Sequence, residues 1–268
     1  GSSWQWLPFR DTEQPMAVVT SATGVQTADT VNRDGRSNPL FAAPATVAGV
    51  STIAVTSGRL LYQQDHYNAT DGLVRAVWSQ RFADALGDER LLTIHEAAAV
   101  EASGARTAVQ RAHGAGELLL FDGATRTATV PVATGGRLTT LSGPYALIGQ
   151  QVVGSDGVRF DTGPVLALFG SLIVEKRSDT TVVRDLTRLQ AAPLPLALPG
   201  AQGRTYRDDG WLWWGDWLVV PFQDGGGAGQ VVFNRRTGAT SILPGDQQVV
   251  AVADGWALVS GALVRSYF

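Results

Sequence analysis

Apolar residues fall along this chain in short runs separated by glycine-containing pairs, a rhythm of strands and tight turns rather than of helices. The stretch GWLWWGDWLVVPF, residues 210–222, shows it best. Trp211 and Trp213 alternate with Leu212 and Trp214, so alternate side chains point to opposite sides, as in a strand. Gly215-Asp216 then makes a turn, and Trp217 to Phe222 reads as a second strand. A small polar residue beside glycine between two apolar strands is a hairpin signal.

The same unit recurs. TIAVTSGRLLYQ turns at Ser57-Gly58, AAVEASGARTAVQR at Ser103-Gly104 and LTTLSGPYALIGQ at Ser142-Gly143. VLALFGSLIVEK turns at Phe169-Gly170 and VVAVADGWALVSG at Asp254-Gly255. With the tryptophan stretch these make six hairpins, whose turn glycines are spaced by 46, 39, 27, 45 and 40 residues. Four of the five intervals match a four-stranded propeller blade. A second element keeps phase with the first: ELLLFDGATR, GVRFDTG, TVVRDLTR and GQVVFNRRTG each run a strand into Asp or Asn and then Thr. Asp122, Asp161, Asp185 and Asn234 are placed to cap a turn through a backbone N–H two residues on, leading into a fourth strand.

The expected fold is all-β: a β-propeller of about six four-stranded antiparallel blades, its ring closed by N- and C-terminal strands. Residues 51–268 carry the blades. Residues 1–50 form a partly irregular N-terminal segment that contributes a closing strand, from WQWLPFR or PMAVVTS. The last blade breaks off at its third strand, ALVRSYF. QRFADALGDERLLTIHEAAAVEA holds good helix formers, but Gly87 and the hairpins on either side favour a strand, a turn and another strand.

On these hairpins and Asx-Thr turns the chain resembles, over residues 50–268, the bacterial propellers with WD40-like or quinoprotein-like blades. No blade ends in Trp-Asp, there is no S-x-D-x-G-x-x-W box, and no D-x-D-x-D-G calcium loop is present. The resemblance therefore implies an architecture and no activity.

Composition narrows the setting. Hydrophobic residues make up 44% of 268 positions, enough for a sizeable core, yet no apolar run approaches the roughly 20 residues of a membrane span. A net charge of −3 lacks the basic footprint of a nucleic-acid binder. Lys176 is the one lysine against twenty arginines, a usage typical of GC-rich bacterial genomes. Cysteine is absent, which removes disulfides, zinc–cysteine sites and cysteine catalysis. That fits either the cytoplasm or the cell exterior, and an extracellular or cell-surface location is the expectation. The opening Gly-Ser-Ser reads as a cloning remnant, so the chain is expected to be part of a longer protein.

In a propeller, the loops joining second to third strands and the connections between blades gather on one face. That sorting puts Asp65, His66, Tyr67, His113, Asp156, Lys176, Arg177, Arg204, Asp208 and Asp224 together as a ligand or partner face. The three histidines, His66, His95 and His113, lack the paired spacing of a metal site. Carboxylates such as Asp208 with Asp209, or Asp65 with Asp71, are available for glycosidase-type chemistry, but no G-x-S-x-G elbow or phosphate loop accompanies them. No catalytic residue, metal or cofactor is assigned. The tryptophans are expected in the packing between blades, where each ring buries about 150–250 Å². The sequon Asn68-Ala69-Thr70 reads as accidental.

The leading functional expectation is a non-catalytic protein-binding or adaptor domain of a bacterial cell-surface or secreted protein. Its alternatives are a carbohydrate or cell-wall binding module, with a glycan as partner, and a hydrolase or lyase acting on polysaccharide.

Overall fold

The computed structural model describes residues 3–6, 16–20, 22, 26–31, 36–42, 50–56, 59–70, 72–81, 89–111, 116–178, 180–199, 203–245, 248–253, 256–259 and 263–265. Among them the strands form seven antiparallel sheets in chain order. The first holds Ser3–Trp6, Met16–Thr20, Gln26–Val31 and Ser37–Ala42. The second holds Val50–Thr56, Arg59–Asn68, Gly72–Arg81 and Glu89–His95. In the third are Ala97–Ser103, Arg106–Arg111, Glu117–Asp122 and Thr125–Pro131. The fourth has Leu138–Ser142, Tyr145–Ile148 and Gln151–Gly154, with a lone Val153–Arg159 bridge beyond them. The fifth has Val165–Phe169, Leu172–Arg177, Thr180–Asp185 and Leu194–Pro195. In the sixth, Thr205–Tyr206 and Leu212–Trp214 both pair with Trp217–Asp224, followed by Gly227–Asn234 and Thr240–Pro244. The seventh has Val249–Ala253, Trp256–Val259 and Leu263–Arg265.

From the second sheet to the seventh, the first strand of each lies against the first strand of the next. Sheets stacked side by side through their innermost strands are blades. The fold is a β-propeller.

All six sequence-predicted hairpins are present as the first two strands of the second to seventh sheets. Gly104, Gly143, Gly170 and Gly215 open their turns at φ between 55° and 58°. That conformation is strained for any side chain, and glycine in the first central position gives the type II′ turn whose twist suits a hairpin. Residues 3–42 add a whole four-stranded sheet to the six hairpins, with WQW and MAVVT pairing to each other at Trp4–Val19. The segment around Glu96 is strand on both sides of a one-residue turn, Val77 facing Leu92 and Glu96 N–H donating to Leu73 O at 2.7 Å. Over residues 89–102 of that segment, sheet pairing prevails over helical propensity; Gly87 lies outside the described residues. In the fourth sheet, QVVG is itself the third strand, so VRFD lies beyond it and Asp161 caps no turn of the expected kind; its carbonyl accepts from Arg184 instead, at 3.2 Å. Asp185 and Asn234 do cap: Asp185 Oδ1 accepts from Thr187 N at 2.9 Å, and Asn234 Oδ1 from Arg236 N and Thr237 N at 2.9 Å.

There is no single core. Each blade has two apolar faces, and the buried residues form layers between consecutive blades. Val109, Leu119 and Phe121 of the third sheet join Leu61, Val77, Leu92 and Ile94 of the second. Their neighbours Ala108, Leu118 and Leu120 turn the other way, onto Leu138, Leu141 and Ile148 of the fourth. Runs such as ELLLF and WLVV are continuously apolar because both faces are covered, and each full burial of such a side chain stabilises by about 1.5–3 kcal/mol. The tryptophans obey the same parity. Trp211 and Trp213, each 8% exposed, pack with Leu166, Val174 and Phe233 between the fifth and sixth sheets, whereas Leu212 and Trp217 pack toward Val249 of the seventh.

Polar latches join the blades at both rims. Ser103 Oγ accepts from the turn Gly143 N–H of the next blade at 2.9 Å, and Ser142 Oγ from Gly170 N–H at 2.8 Å. At the other rim, the Gln110 amide donates to Gly136 O and accepts from Leu138 N–H, both at 2.7 Å. Gln230 treats Val249 alike, at 3.2 and 2.6 Å. Outermost strands carry Pro39, Pro131, Pro195 and Pro244, which lack the N–H a further strand would need. Among the described residues no helix is long and apolar enough to cross a membrane.

These layers and latches rank three substitutions. In urea unfolding, Trp213→Ala is expected to cost about 3–5 kcal/mol. Gln110→Leu, which strands two backbone groups, is expected to cost about 1–3 kcal/mol, and Ser142→Ala about 0.5–1.5 kcal/mol. A Ser142→Ala loss as large as that of Trp213→Ala would contradict the layered account. Separately, hydrogen bonds from the Thr187 hydroxyl, then its N–H, hold Asp185 below the ordinary aspartate value. The stability this contributes is present above the unfolded-state pKa and is lost as pH falls through the folded one. A carboxyl NMR titration of Asp185 at or above the ordinary value would refute it.

Candidate functional site

One seam opens into a cleft of about 720 Å³, between the end of the second strand of the fifth sheet and the start of the sixth. Its cause is legible in the ladder. Tyr206 pairs with Phe222 and Leu212 with Val219, so the five residues 207–211 stand opposite only Val220 and Pro221. Pro221 has no N–H to give, the ladder breaks there, and the inner strand bulges. The bulge is pinned rather than loose. Arg207 N–H donates to Pro221 O at 2.9 Å, and the Trp211 indole N–H donates to Arg207 O at 2.7 Å. Gly210 completes the reversal at φ 78°, where an added Cβ would stand 3.3 Å from the Pro221 ring.

The result is a set of charges held out at the rim. Lys176 Nζ reaches across the seam to both oxygens of Asp208, at 2.8 and 2.7 Å. Arg207 grips Asp209 at 3.0 and 2.8 Å. Arg204 Nε lies 3.7 Å from Asp224 Oδ2, its guanidinium stacked 5.0 Å from the centre of the Phe222 ring. Asp224 Oδ1 also accepts from Gly226 N–H at 2.8 Å, which shapes the glycine-rich hairpin tip. Tyr206, Thr205 and Gln223 line the remainder. The Tyr206 hydroxyl donates to Pro199 O at 2.5 Å, and burial raises its pKa against the lowering effect of Arg204.

Of the ten sequence-predicted face residues, Lys176, Asp208 and Asp224 line this cleft and Arg204 stands behind it. The rest lie elsewhere. Asp65, His66 and Tyr67 are in a strand and not a loop, because Arg59–Asn68 and Gly72–Arg81 stay paired out to Asn68–Gly72. Asp65 is bound by Arg75 across that hairpin at 2.5 and 2.6 Å, and Tyr67 is 77% exposed near its tip. Asp156 sits in the turn after the third strand of the fourth sheet, the opposite rim from a second-to-third loop, and accepts from Val158 N–H at 3.0 Å. Arg177 donates to the buried Glu175. His113 lies outside the described residues.

Of the paired carboxylates considered for hydrolysis, Asp208 is engaged by Lys176, Asp209 by Arg207 and Asp65 by Arg75, and Asp71 lies outside the described residues. Among the described residues no three His, Cys, Asp or Glu side chains gather as metal ligands. Sequence reasoning had not singled out Tyr206, Arg207 or Gln223; the signal was present in Pro221, opposite an otherwise unbroken strand.

No family model matches the chain, and no curated protein matches it. Among solved structures it is similar to an acylaminoacyl peptidase in complex with Z-Gly-Gly-Phe-chloromethyl ketone, at TM-score 0.62 and 10% identity over 96% of this chain and 49% of that one. It is similar to a prolyl endopeptidase at TM-score 0.52 and 12% identity, over 96% of this chain and 46% of that one. TolB from Acinetobacter baumannii is more distant in shape, at TM-score 0.46 and 13% identity over 99% and 65% of the two chains. The likeness is one of fold. The chain spans about half the length of the two peptidases it matches.

Tyr206 offers a direct probe of the cleft. Its raised folded-state pKa means that the stability it contributes is full below the unfolded tyrosine value and lost as pH rises through the folded one. Spectrophotometric titration of Tyr206→Phe is expected to lose, relative to the parent, a component that ionises later than a free phenol. An unchanged curve in Tyr206→Phe would show that the ring is not held as described.

Proposed function

We propose that this propeller is a non-catalytic binding domain that engages a protein partner through the cleft between its fifth and sixth blades, in an extracellular or cell-surface setting. The observation that carries the proposal is the set of opposed, solvent-facing ion pairs around a pinned bulge. Lys176 and Asp208 are 43% and 48% exposed, Arg207 and Asp209 51% and 73%. Exposed pairs of this kind contribute only about 0–1 kcal/mol to the fold. They are therefore exchanged at little cost for pairs with an incoming surface, and such complementarity sets register and association rate. Trp211 and Trp213 are buried in the packing beside the cleft, so neither ring offers a platform to a glycan there. The hydrolase reading needs one carboxylate kept protonated beside a free one, and the cleft acids are matched to cations instead.

The test is capture from the native organism's envelope and secreted fractions, with purified parent and two variants. In one, Arg207→Ala and Asp208→Asn disable the cleft; in the other, His66→Ala and Tyr67→Ala alter the second-blade hairpin. A stoichiometric protein partner is expected to bind the parent and the hairpin variant. The cleft variant is expected to weaken it by about tenfold or more, the equivalent of about 1.4 kcal/mol, with affinity falling as salt rises. Equal capture by the cleft variant, or retention of polysaccharide alone, would sink the reading.

A further inference from the structure

Three buried polar atoms at the seam between the fourth and fifth sheets have no hydrogen-bonding partner among the described residues: Thr162 Oγ1, Glu175 Oε2 and Arg184 Nε. Glu175 and Arg184 already touch, and both chain neighbours of Thr162 approach that pair. Glu175 is fully buried, and both guanidiniums that reach it do so at its other oxygen, Oε1: Arg177 through Nε, and Arg184 through Nη2 at 3.4 Å. The same Arg184 donates from Nη1 to Asp161 O at 3.2 Å, just before Thr162. Just after it, Gly163 runs so close to the second strand that an added Cβ would stand 2.7 Å from Lys176 O and 3.3 Å from Glu175 Cγ. Thr162 is thus bracketed by one residue bound to Arg184 and another pressed on Glu175.

We infer that a single water molecule is built into this seam, bridging Thr162 Oγ1, Glu175 Oε2 and Arg184 Nε. A buried carboxylate oxygen without a donor is costly, by about 1–3 kcal/mol or more for a charged group. Buried waters in proteins make about three hydrogen bonds to such groups. The three atoms are the complement of one water: Oε2 only accepts, Nε–H only donates, and the hydroxyl does either. An added cation is disfavoured by two guanidiniums against one carboxylate, and an anion by Oε2 itself. A neutral molecule with both donor and acceptor capacity fits. The site thereby ties the linker into the fifth blade to Glu175, at the rim opposite the Ser142–Gly170 latch.

Crystal structures of the parent, Thr162→Ser and Thr162→Val, at a resolution that shows ordered water, test this. The parent and Thr162→Ser are expected to show one peak within about 3.2 Å of the three atoms. In Thr162→Val the peak is expected to disappear and the urea midpoint to fall below that of Thr162→Ser. A direct Thr162 Oγ1–Glu175 Oε2 hydrogen bond with no peak overturns the inference. So does a peak carrying the anomalous signal of chloride, or one that persists in Thr162→Val.

Discussion

Wherever the faces of these blades are described, both are apolar, and a blade can hide neither alone. A single twisted sheet exposes both, so Val109 is buried only because the second sheet covers it, and Ala108 only because the fourth does. The hydrophobic term therefore acts between neighbours, layer by layer, and not around a centre. Stability in such a stack is close to a sum of nearest-neighbour terms. Apolar contact is tolerant of sliding, however, and fixing the offset of one sheet on the next needs directional bonds. Ser103 and Ser142 supply them at one rim, Gln110 and Gln230 at the other. Each satisfies a backbone group of the next blade's innermost strand or turn, the element on which that blade is built.

The seam between the fifth and sixth blades breaks this pattern, and the cleft follows from the break. Where the third and fourth blades place a serine before the turn, the fifth places Phe169, whose ring stacks on Trp213 at 6.3 Å. Trp213 donates its indole N–H to Gly215 O at 2.9 Å, and Trp211 gives its own to the bulge. Large aromatic rings thus replace small hydroxyls as the latch. The tryptophan-rich stretch is a structural device whose polar ends hold the bulge that carries Arg207, Asp208 and Asp209.

What the sequence made legible was local chemistry. A glycine at positive φ between apolar pairs marks a hairpin whatever the rest of the chain does, and Asp185 and Asn234 cap turns through atoms two or three residues away. Features set by distant pairing were hidden. QVVG begins directly after the preceding turn and looks like loop. Asp65, His66 and Tyr67 look like loop because their hairpin projects beyond Val50, where the first strand of the sheet begins. In the first sheet, Gln26–Val31 (QTADTV) lacks the apolar run that marked the other strands. Topology predicts that Lys176, Asp208 and Asp224 share a rim, since blade order fixes which loops lie together, and the three line one cleft. Their partners were not legible, because ion pairing across a seam depends on a ladder break at Pro221.

One strand carries buried and exposed ion pairs on adjacent residues. Glu175, Lys176 and Arg177 end the second strand of the fifth sheet, and alternation sends them to opposite sides. Glu175 turns into the fourth-to-fifth seam, with Arg177 folding back on it; Lys176 turns toward the sixth blade and closes over Asp208. The two environments treat the same kind of ion pair differently. Breaking the buried pair by removing one partner strands a charge and costs about 3–5 kcal/mol, so Glu175 is locked to its cations. The exposed Lys176–Asp208 pair is solvated whether open or closed, so it is free to exchange. Parity along a single strand therefore separates the charge locked between two blades from the charge that stays solvated at the cleft.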